Sequence, residues 1–494
     1  MKGATILQKF LQKILRFSSH PLIPSPEHKI LAQSYSFSPE LQHHLSGRAL
    51  LAEEISFPAD LLDEHFQCGY IGRILGVSLE DSKFQCNRCG NQNQNQFFTF
   101  PCSRCKKDCT YCRNCIMMGR VSSCSYLHVW TGPDVIFESG PNPLAWTGSL
   151  SEGQSHASDR VVDAVTNKEQ LLVWAVCGAG KTEVLFKGIE AGLQSSQRIC
   201  IATPRNDVVL ELVPRLKKAF PDIAVASLYG GTVDRHLLAP LTVSTTHQLF
   251  RFYKAFDTVI IDEVDAFPYS ADKSLQFAVD KARKSDSSLI YLTATPSAKM
   301  QFSFTKGSLK GVTIPARFHR KPIPVPIMKW CGNWNKSISQ NKTIPPAISA
   351  WVKKRLENNT PILLFFPSIK IMENSLPIYQ KLNPDLEAVH SEDPERKTKV
   401  SLLREKRIPG LLTTTILERG VTIPNLEVAV IGADHDVFSE SALVQIAGRV
   451  GRSIEKPDGN VTFFHYGKSN GMVRAVRHIE RMNAEAEKRG MLDV

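Results

Sequence analysis

The sequence predicts an α/β protein with two tandem lobes of parallel strands flanked by helices, preceded by an N-terminal metal-binding module. Short apolar runs, such as those at 171–176 and 258–261, alternate with helical patterns, which is typical of buried parallel strands. Basic residues and prolines interrupt the alternation at 317–326, and similar strands return after it. Eight of the 12 cysteines lie between Cys86 and Cys124.

The length of 494 residues favours three domains. A stretch rich in glycine and proline separates the cysteine region from the first lobe and is typical of a linker. We therefore expect an N-terminal domain at 1–130 with its cysteine module at about 84–126, a linker at 131–150, a first lobe at 151–318 and a second lobe at 319–494.

The charge balance indicates a polyanionic partner. The formal net charge is +12 with a pI near 9.1, which favours nucleic acid or an anionic membrane surface. The sequence contains no uncharged apolar run of about 18 residues, so it does not predict a transmembrane helix. Residues 1–18 alternate apolar and basic positions at helical spacing, and the lysines interrupt any signal-peptide core. This segment is either a membrane-surface helix or, as we favour, a helix packed on its own domain.

A phosphate-binding loop follows the strand at 171–176. Small residues let backbone N–H groups approach phosphates, and the helix that follows adds its positive dipole end. We expect Lys181 to pair with the β and γ phosphates of ATP and Thr182 to bind Mg²⁺. The first glycine of the usual pattern is Ala175 here. The predicted nucleotide-binding set in this loop is Cys177, Gly178, Ala179, Gly180, Lys181 and Thr182.

An acidic pair ends the strand at 258–262. Asp262 is placed to hold Mg²⁺ through its hydration shell, and Glu263 to orient and deprotonate the attacking water. A solvated strand end is the alternative, but the order of the two motifs argues against it.

Further segments in both lobes complete a pattern. Thr293-Ala-Thr295-Pro296 follows the acidic pair, and Gln445-Ile-Ala-Gly-Arg449-Val-Gly-Arg452 lies in the second lobe. With the phosphate loop, the set resembles motifs I, II, III and VI of superfamily 2 helicases, which implies RecA-like lobes. The resemblance implies that Arg449 and Arg452 reach the γ-phosphate, and that Thr293 and Thr295 couple the lobes. Gln154 lies where related enzymes recognise adenine.

Other segments resemble the motifs through which these helicases contact a strand. The hydroxyls and amides of such segments bind phosphates without reading bases, so we expect weak sequence preference and strong salt dependence. Phe366-Pro-Ser368 resembles motif IV, and residues 413–415 with 418–422 resemble motif V. The predicted DNA contacts are Thr203, Arg205, Thr245, Thr246 and Thr414.

The clustered cysteines indicate zinc, because Cys-x-x-Cys pairs supply two adjacent ligands to a tetrahedral ion. We favour two Zn²⁺ sites; a plain ribbon of Cys86, Cys89, Cys102 and Cys105 also fits the spacing. Basic and aromatic residues between the cysteines suit a surface that grips a strand or docks a protein. The favoured groups are Cys86, Cys89, Cys112 and Cys115, and Cys102, Cys105, Cys109 and Cys124.

The combination resembles the ComFA family, the late-competence DNA-uptake ATPases of Gram-positive bacteria. The resemblance rests on the cysteine segments at 86–90 and 111–121, joined by Trp146-Thr-Gly-x-Leu-Ser to a helicase core. It implies a cytoplasmic ATPase at the inner face of the membrane that translocates single-stranded DNA. It also implies the partners ComEC, ComFC and DprA, peripheral membrane association, and leaves an oligomer open.

Two alternatives remain at this stage. One is a replication-restart or repair helicase like PriA, although in PriA the cysteines are inserted within the helicase region. The other is a zinc-dependent nucleic-acid-binding protein in which the nucleotide only switches the conformation and no motor activity follows. This alternative is disfavoured by an intact set of catalytic residues: Lys181, Glu263, Arg449 and Arg452.

Overall fold

The computed structural model of the chain describes residues 21–418 and 423–493. The amphipathic segment at 1–18 and residues 419–422 of the motif V segment lie outside the described residues. Within the described ranges, no helix combines the length and apolar character needed to cross a bilayer.

The strands are numbered in chain order. They are β1 Ala49–Leu51, β2 Ile71–Leu75, β3 Val77–Glu80, β4 Lys83–Cys86, β5 Phe97–Pro101, β6 Asp108–Cys112, β7 Tyr126–Trp130, β8 Gln170–Ala175, β9 Ile199–Thr203, β10 Val225–Leu228, β11 Leu241–Thr245, β12 Phe256–Asp262, β13 Arg283–Thr293, β14 Lys310–Ile314, β15 Ile327–Trp330, β16 Ile362–Phe365, β17 Glu387–Val389, β18 Gly410–Thr413, β19 Glu427–Ile431 and β20 Val461–His465.

The helices are numbered in the same way. They are α1 Pro39–Leu45, α2 Ala59–Gln67, α3 Glu152–Thr166, α4 Lys181–Val184, α5 Phe186–Gln194, α6 Asn206–Ala219, α7 Lys273–Ala282, α8 Ala298–Thr305, α9 Trp334–Ser339, α10 Pro346–Glu357, α11 Ile369–Tyr379, α12 Arg396–Arg404, α13 Glu440–Ala447 and α14 Asn470–Lys488.

The chain divides into two compact units, each built from separate stretches of sequence. The first unit takes 1–147, 162–170 and 187–291, and the second takes 148–161, 171–186 and 292–494. The domain boundaries expected from the sequence stay predictions.

The N-terminal part of the first unit is a small antiparallel sheet in the order β1-β7-β2, with two hairpins, β3–β4 and β5–β6. Helix α1 begins where the Ser38 hydroxyl accepts a hydrogen bond from the Leu41 amide at 3.1 Å, with Pro39 in its first turn. Apolar side chains of α1, α2 and the sheet form its core. They include Leu41, Leu45, Leu50, Leu62, Phe66 and Ile71.

The first unit also holds four neighbouring parallel strands in the order β10-β11-β9-β12. Every residue of β9 and β11 is buried, as expected for strands of a parallel sheet whose two faces are covered by helices. The carboxyl ends of these strands lie at one edge, where ligands bind in open α/β sheets.

In the second unit, β14 pairs in parallel with β8, so that Ile314 lies beside Ala175. A separate parallel sheet has the order β15-β20-β19-β16-β18-β17. The buried side chains of β16 pack with those of α10 and α11 in the core beside this sheet. The predicted fold class, parallel sheets flanked by helices behind a cysteine-rich module, is confirmed.

Candidate functional site

The phosphate loop connects β8 to α4. Gly178 and Gly180 have φ of +84° and +67°, left-handed conformations that glycine adopts without strain. The Ala179 amide donates to the Val176 carbonyl at 3.2 Å, and Lys181 begins the helix. The loop therefore joins a parallel strand to a helix N-terminus, the arrangement that binds nucleotide phosphates, so these residues fit ATP.

Gln154 lies against this loop and is buried. Its Nε2 donates to the Ala179 carbonyl at 2.9 Å, and its Oε1 accepts from the Ser151 amide at 2.8 Å. A Cβ on Gly180 would lie 2.3 Å from Gln154 Nε2. The amide group therefore supports the backbone of the loop, while adenine recognition by Gln154 stays a prediction.

Cys177 connects the loop to the motif VI segment within the second unit. Its buried Sγ donates to Gln445 Oε1 at 3.1 Å. A Cβ on Gly448 would lie 2.4 Å from Cys177 Cβ, so only glycine fits beside the cysteine. The phosphate loop therefore contacts α13 directly, because Gln445 belongs to that helix.

Arg317 forms a second connection between the loop and motif VI. It is 2% exposed, and its Nη1 donates to the Gly451 carbonyl at 2.6 Å. The adjoining Phe318 amide donates to the Gly178 carbonyl at 3.0 Å. Burial lowers the pKa of Arg317 to about 10, so the guanidinium stays charged at neutral pH.

The two motif VI arginines follow α13. Arg449 is buried, and its Nε donates to the Glu418 carbonyl at 2.8 Å. Arg452 is half-buried, and its Nε donates to the Gly448 carbonyl at 3.0 Å. Both guanidinium groups are positioned by backbone carbonyls, and their predicted contact with the γ-phosphate stays a prediction.

The motif III threonines also contact α13. The Thr295 amide donates to Thr293 Oγ1 at 2.9 Å, and the Thr295 hydroxyl shares a 2.9 Å hydrogen bond with Ser441. Ser441 and Gln445 belong to the same helix. The second unit therefore brings motif III, the phosphate loop and the motif VI helix into one set of contacts.

The acidic pair lies at the end of β12, in the first unit. Asp262 is the last residue of the strand, and Glu263 has a φ of +58°. A left-handed conformation is uncommon for a residue other than glycine, and it concentrates at functional sites. Carboxylate oxygens at a strand end suit Mg²⁺.

The predicted DNA contacts in the first unit lie together at the sheet edge. Thr203 and Thr245 are direct neighbours in the β9–β11 register. Thr203 and Thr246 are fully buried, so their hydroxyls do not reach solvent in this conformation. Arg205 forms a two-point pair with Asp207 at 3.1 and 2.8 Å. Thr414, half-buried, follows β18 in the second unit.

The eight clustered cysteines form two groups of four, the grouping favoured from the sequence. In the first group all four thiols are buried, and the Cys86–Cys115 and Cys89–Cys112 Sγ separations are each 3.8 Å. Thiolates about 2.3 Å from a tetrahedral zinc lie about 3.8 Å apart, so this group fits Zn²⁺. Hydrogen bonds from its three neighbouring cysteines hold the pKa of Cys112 well below the usual thiol range.

The second group is more exposed. Cys105 and Cys124 are half-buried. The Cys102–Cys124 separation is 3.7 Å and the Cys105–Cys109 separation is 3.1 Å. Arg104 Nη2 donates to Cys124 Sγ at 3.5 Å, as outer residues commonly do toward thiolate ligands. This group also offers four sulfur ligands to Zn²⁺.

A buried lysine anchors the loop of the first cysteine group. Lys281 in α7 is 1% exposed, and its Nζ donates to the carbonyls of Arg88 and Phe250 at 2.6 and 2.8 Å. Arg88 is fully buried and pairs with Glu54, which also pairs with Arg251 at 2.9 Å. Burial lowers the pKa of Lys281 to about 7.

Sequence patterns did not single out Arg317 or Lys281. Arg317 lies in the basic run that was interpreted as a domain break, and Lys281 lies near the end of a helix with an ordinary polar pattern. Only burial distinguishes them from surface cations.

Comparison with known proteins identifies the parts of the chain. Residues 32–129 match the competence protein ComFA N-terminal domain, 147–298 the type III restriction enzyme res subunit, and 346–453 the helicase conserved C-terminal domain. Competence protein ComFA of Bacillus subtilis (strain 168) is 49% identical over 455 residues, covering 92% of this chain and 97% of that protein. Competence protein ComFA of Streptococcus pneumoniae (strain ATCC BAA-255 / R6) is 36% identical over 416 residues, covering 84% and 94%.

A solved structure with the same fold is a variant of S. cerevisiae Dbp5 bound to RNA and ADP BeF3. It has a TM-score of 0.50 and 14% identity, covering 70% of this chain and 98% of that one. The predicted pair of RecA-like helicase domains is confirmed. With them, the predicted helicase-like ATPase activity and the use of ATP and Mg²⁺ are established for this chain.

Proposed function

The chain belongs to the ComFA family of competence proteins, and we propose that it is an ATP-dependent translocase that draws single-stranded transforming DNA into the cell. The observation that carries the proposal is the joining, in one chain, of a helicase-type ATPase to two four-cysteine groups that precede it. An ATPase of this type converts hydrolysis into movement only if nucleotide state alters its grip on a strand.

The nucleotide contacts follow from the phosphate loop. Lys181 would hold the β and γ phosphates, and Thr182 with Asp262 would hold Mg²⁺, which neutralises developing phosphate charge. Glu263 would orient the attacking water and take its proton. Gln154 would contact adenine after exchanging a hydrogen bond that it makes to the loop.

Contacts within the second unit would transmit a change of nucleotide state to the residues that bind the strand. Cys177 and Arg317 connect the phosphate loop to the motif VI segment, and Thr295 connects motif III to the same helix. Arg449 and Arg452 would then sense the γ-phosphate. Loss of that phosphate removes charge from the loop and so changes these contacts.

The cellular location of the protein and the identity of its partners are part of the same proposal. We place it in the cytoplasm at the inner face of the membrane, where it would work with the channel ComEC, with ComFC and with DprA. The net charge of +12 suits both DNA and an anionic membrane surface. Two Zn²⁺ ions held by the eight thiols would stabilise the N-terminal module.

The test is ATP turnover measured with single-stranded DNA, duplex DNA and RNA. We expect single-stranded DNA to stimulate turnover most. Lys181→Ala and Glu263→Gln should abolish turnover, because the first removes the group that holds the phosphates and the second removes the base that acts on the attacking water. Glu263→Gln should still bind ATP, which separates a chemical defect from a binding defect.

Three outcomes would overturn the proposal. Stimulation by RNA alone would exclude a DNA translocase. A deletion strain with defective growth and normal transformation would indicate a replication-restart role like that of PriA. ATP binding without any turnover would indicate a nucleotide-switched binding protein.

A further inference from the structure

The β5–β6 hairpin carries a row of aromatic rings on one face. Phe98 and Tyr111 are direct partners across the hairpin, with ring centroids 5.9 Å apart. Phe100 lies two residues along the same strand, 5.6 Å from Tyr111. Phe98 is 54% exposed, and with Phe100 and Tyr111 on the same face it forms a contiguous aromatic patch, whereas a single exposed ring would carry no such signal.

Positive charge surrounds this aromatic face. Arg120 lies over the Phe100 ring at 4.8 Å and is itself exposed. Lys106 and Lys107 form the exposed end of the hairpin. Residues 83–126 contain seven lysines and arginines against one acidic residue, Asp108, and all of the seven except the buried Arg88 are exposed. The surface therefore suits a polyanion that also has flat rings.

The two cysteine groups hold the hairpin at both ends. Cys109 of the second group lies in β6 next to the turn, and Cys112 of the first group ends the same strand. The segment after Arg120 pairs with the other side of β6, through the Cys112 amide to Val121 at 3.0 Å and the Ser123 amide to Thr110 at 2.8 Å. A rigid platform loses little conformational entropy on binding.

We infer that this aromatic face stacks the bases of a single-stranded nucleic acid while the surrounding cations contact its phosphates. Bases stack on aromatic side chains only where they are unpaired, so the face selects single strands over duplex without reading sequence. It is a strand contact outside the helicase domains. The inference rests on the proposed function only for the identity of the strand as DNA.

The experiment compares oligothymidylate with an abasic oligonucleotide of equal length, which keeps the phosphates and lacks the bases. Fluorescence anisotropy with the full-length chain gives both affinities. We expect Phe98→Ala to weaken oligothymidylate binding by about fivefold to a hundredfold, the range for loss of one stacked base. The abasic affinity should change by less than about twofold, and Phe98→Trp should restore binding.

The matched control is Phe302→Ala, because Phe302 is 64% exposed and has its own neighbouring cation, Lys306, 5.8 Å from the ring. We expect no change in either affinity. Zinc content and thermal unfolding of each variant show that the hairpin is intact.

Two outcomes would overturn the inference. One is an unchanged oligothymidylate affinity in Phe98→Ala, which together with a loss of transformation would indicate a protein partner. The other is an equal loss of affinity in Phe302→Ala. In either case, the proposed function stands if single-stranded DNA binds the unmodified chain and stimulates its ATP turnover. If it is not stimulated at all, the proposed function fails independently.

Discussion

The two cysteine groups share a ligand chemistry but differ in their surroundings. In the first group Cys86, Cys89 and Cys112 have no exposed surface, and the ligand loop is held by the ATPase helix α7. In the second group, Cys105 and Cys124 are partly open to solvent. The difference indicates that one group belongs to the interior of the first unit and the other to its surface.

The contacts of the first group explain this difference. Gly90 packs on Phe277, since a Cβ there would lie 2.5 Å from the ring. Asn114 donates both to Ser274 at 2.9 Å and to Cys89 Sγ at 3.6 Å. Helix α7, which carries Phe277 and Ser274, follows the acidic pair in sequence. The first group therefore packs on the helix that follows the segment carrying Asp262 and Glu263.

The largest expected effect is from removing a ligand of the first group. Cys112→Ser should remove one zinc and lower DNA-free ATP turnover by more than about tenfold, since the loss of even an outer contact at a metal site costs about 10–100-fold in affinity or activity. Metal analysis and steady-state turnover measure both effects. Unchanged turnover with one zinc missing would show that the first group is independent of the ATPase.

The next effect concerns the anchor between the first group and α7. Lys281→Met leaves the buried Arg88 and Phe250 carbonyls without their donor, so we expect the free energy of unfolding to fall by about 2–4 kcal/mol. Urea unfolding measures it. The control is Lys284→Met, whose ion pair with Asp257 at 2.9 Å is partly exposed and is worth less than about 1 kcal/mol. Equal losses would mean that the lysine does not anchor the loop.

The smallest effect on hydrolysis is expected at the second group. Cys124→Ser should also remove one zinc, from about two per chain, but should change DNA-free turnover by less than about twofold, because partly exposed positions transmit little to a distant core. Its oligothymidylate affinity should fall, since the hairpin loses one support. A zinc content near one in the unmodified chain would contradict the two-site assignment.

Much of this arrangement was predictable because the chemistry is local in sequence. Cys-x-x-Cys spacing indicated the metal groups, and the pairing favoured over a plain ribbon is the one that the structure brings together. The phosphate loop was recognisable because a strand, small residues and Lys181-Thr182 follow one another. Burial was not predictable: Thr203 and Thr246 were expected to face DNA, yet both are enclosed.

The sequence by itself determined the order of the motifs, the fold class and the family, because strand periodicity, ligand spacing and phosphate-loop composition each act over a few neighbouring residues. Only the tertiary structure decided which cysteine group is anchored to helix α7 of the ATPase, and which lysine and arginine side chains are buried and donate to backbone carbonyls. Lys281 and Arg317 resemble surface residues in sequence. They become structural because distant backbone carbonyls, brought together by folding, satisfy charges that burial would otherwise make costly.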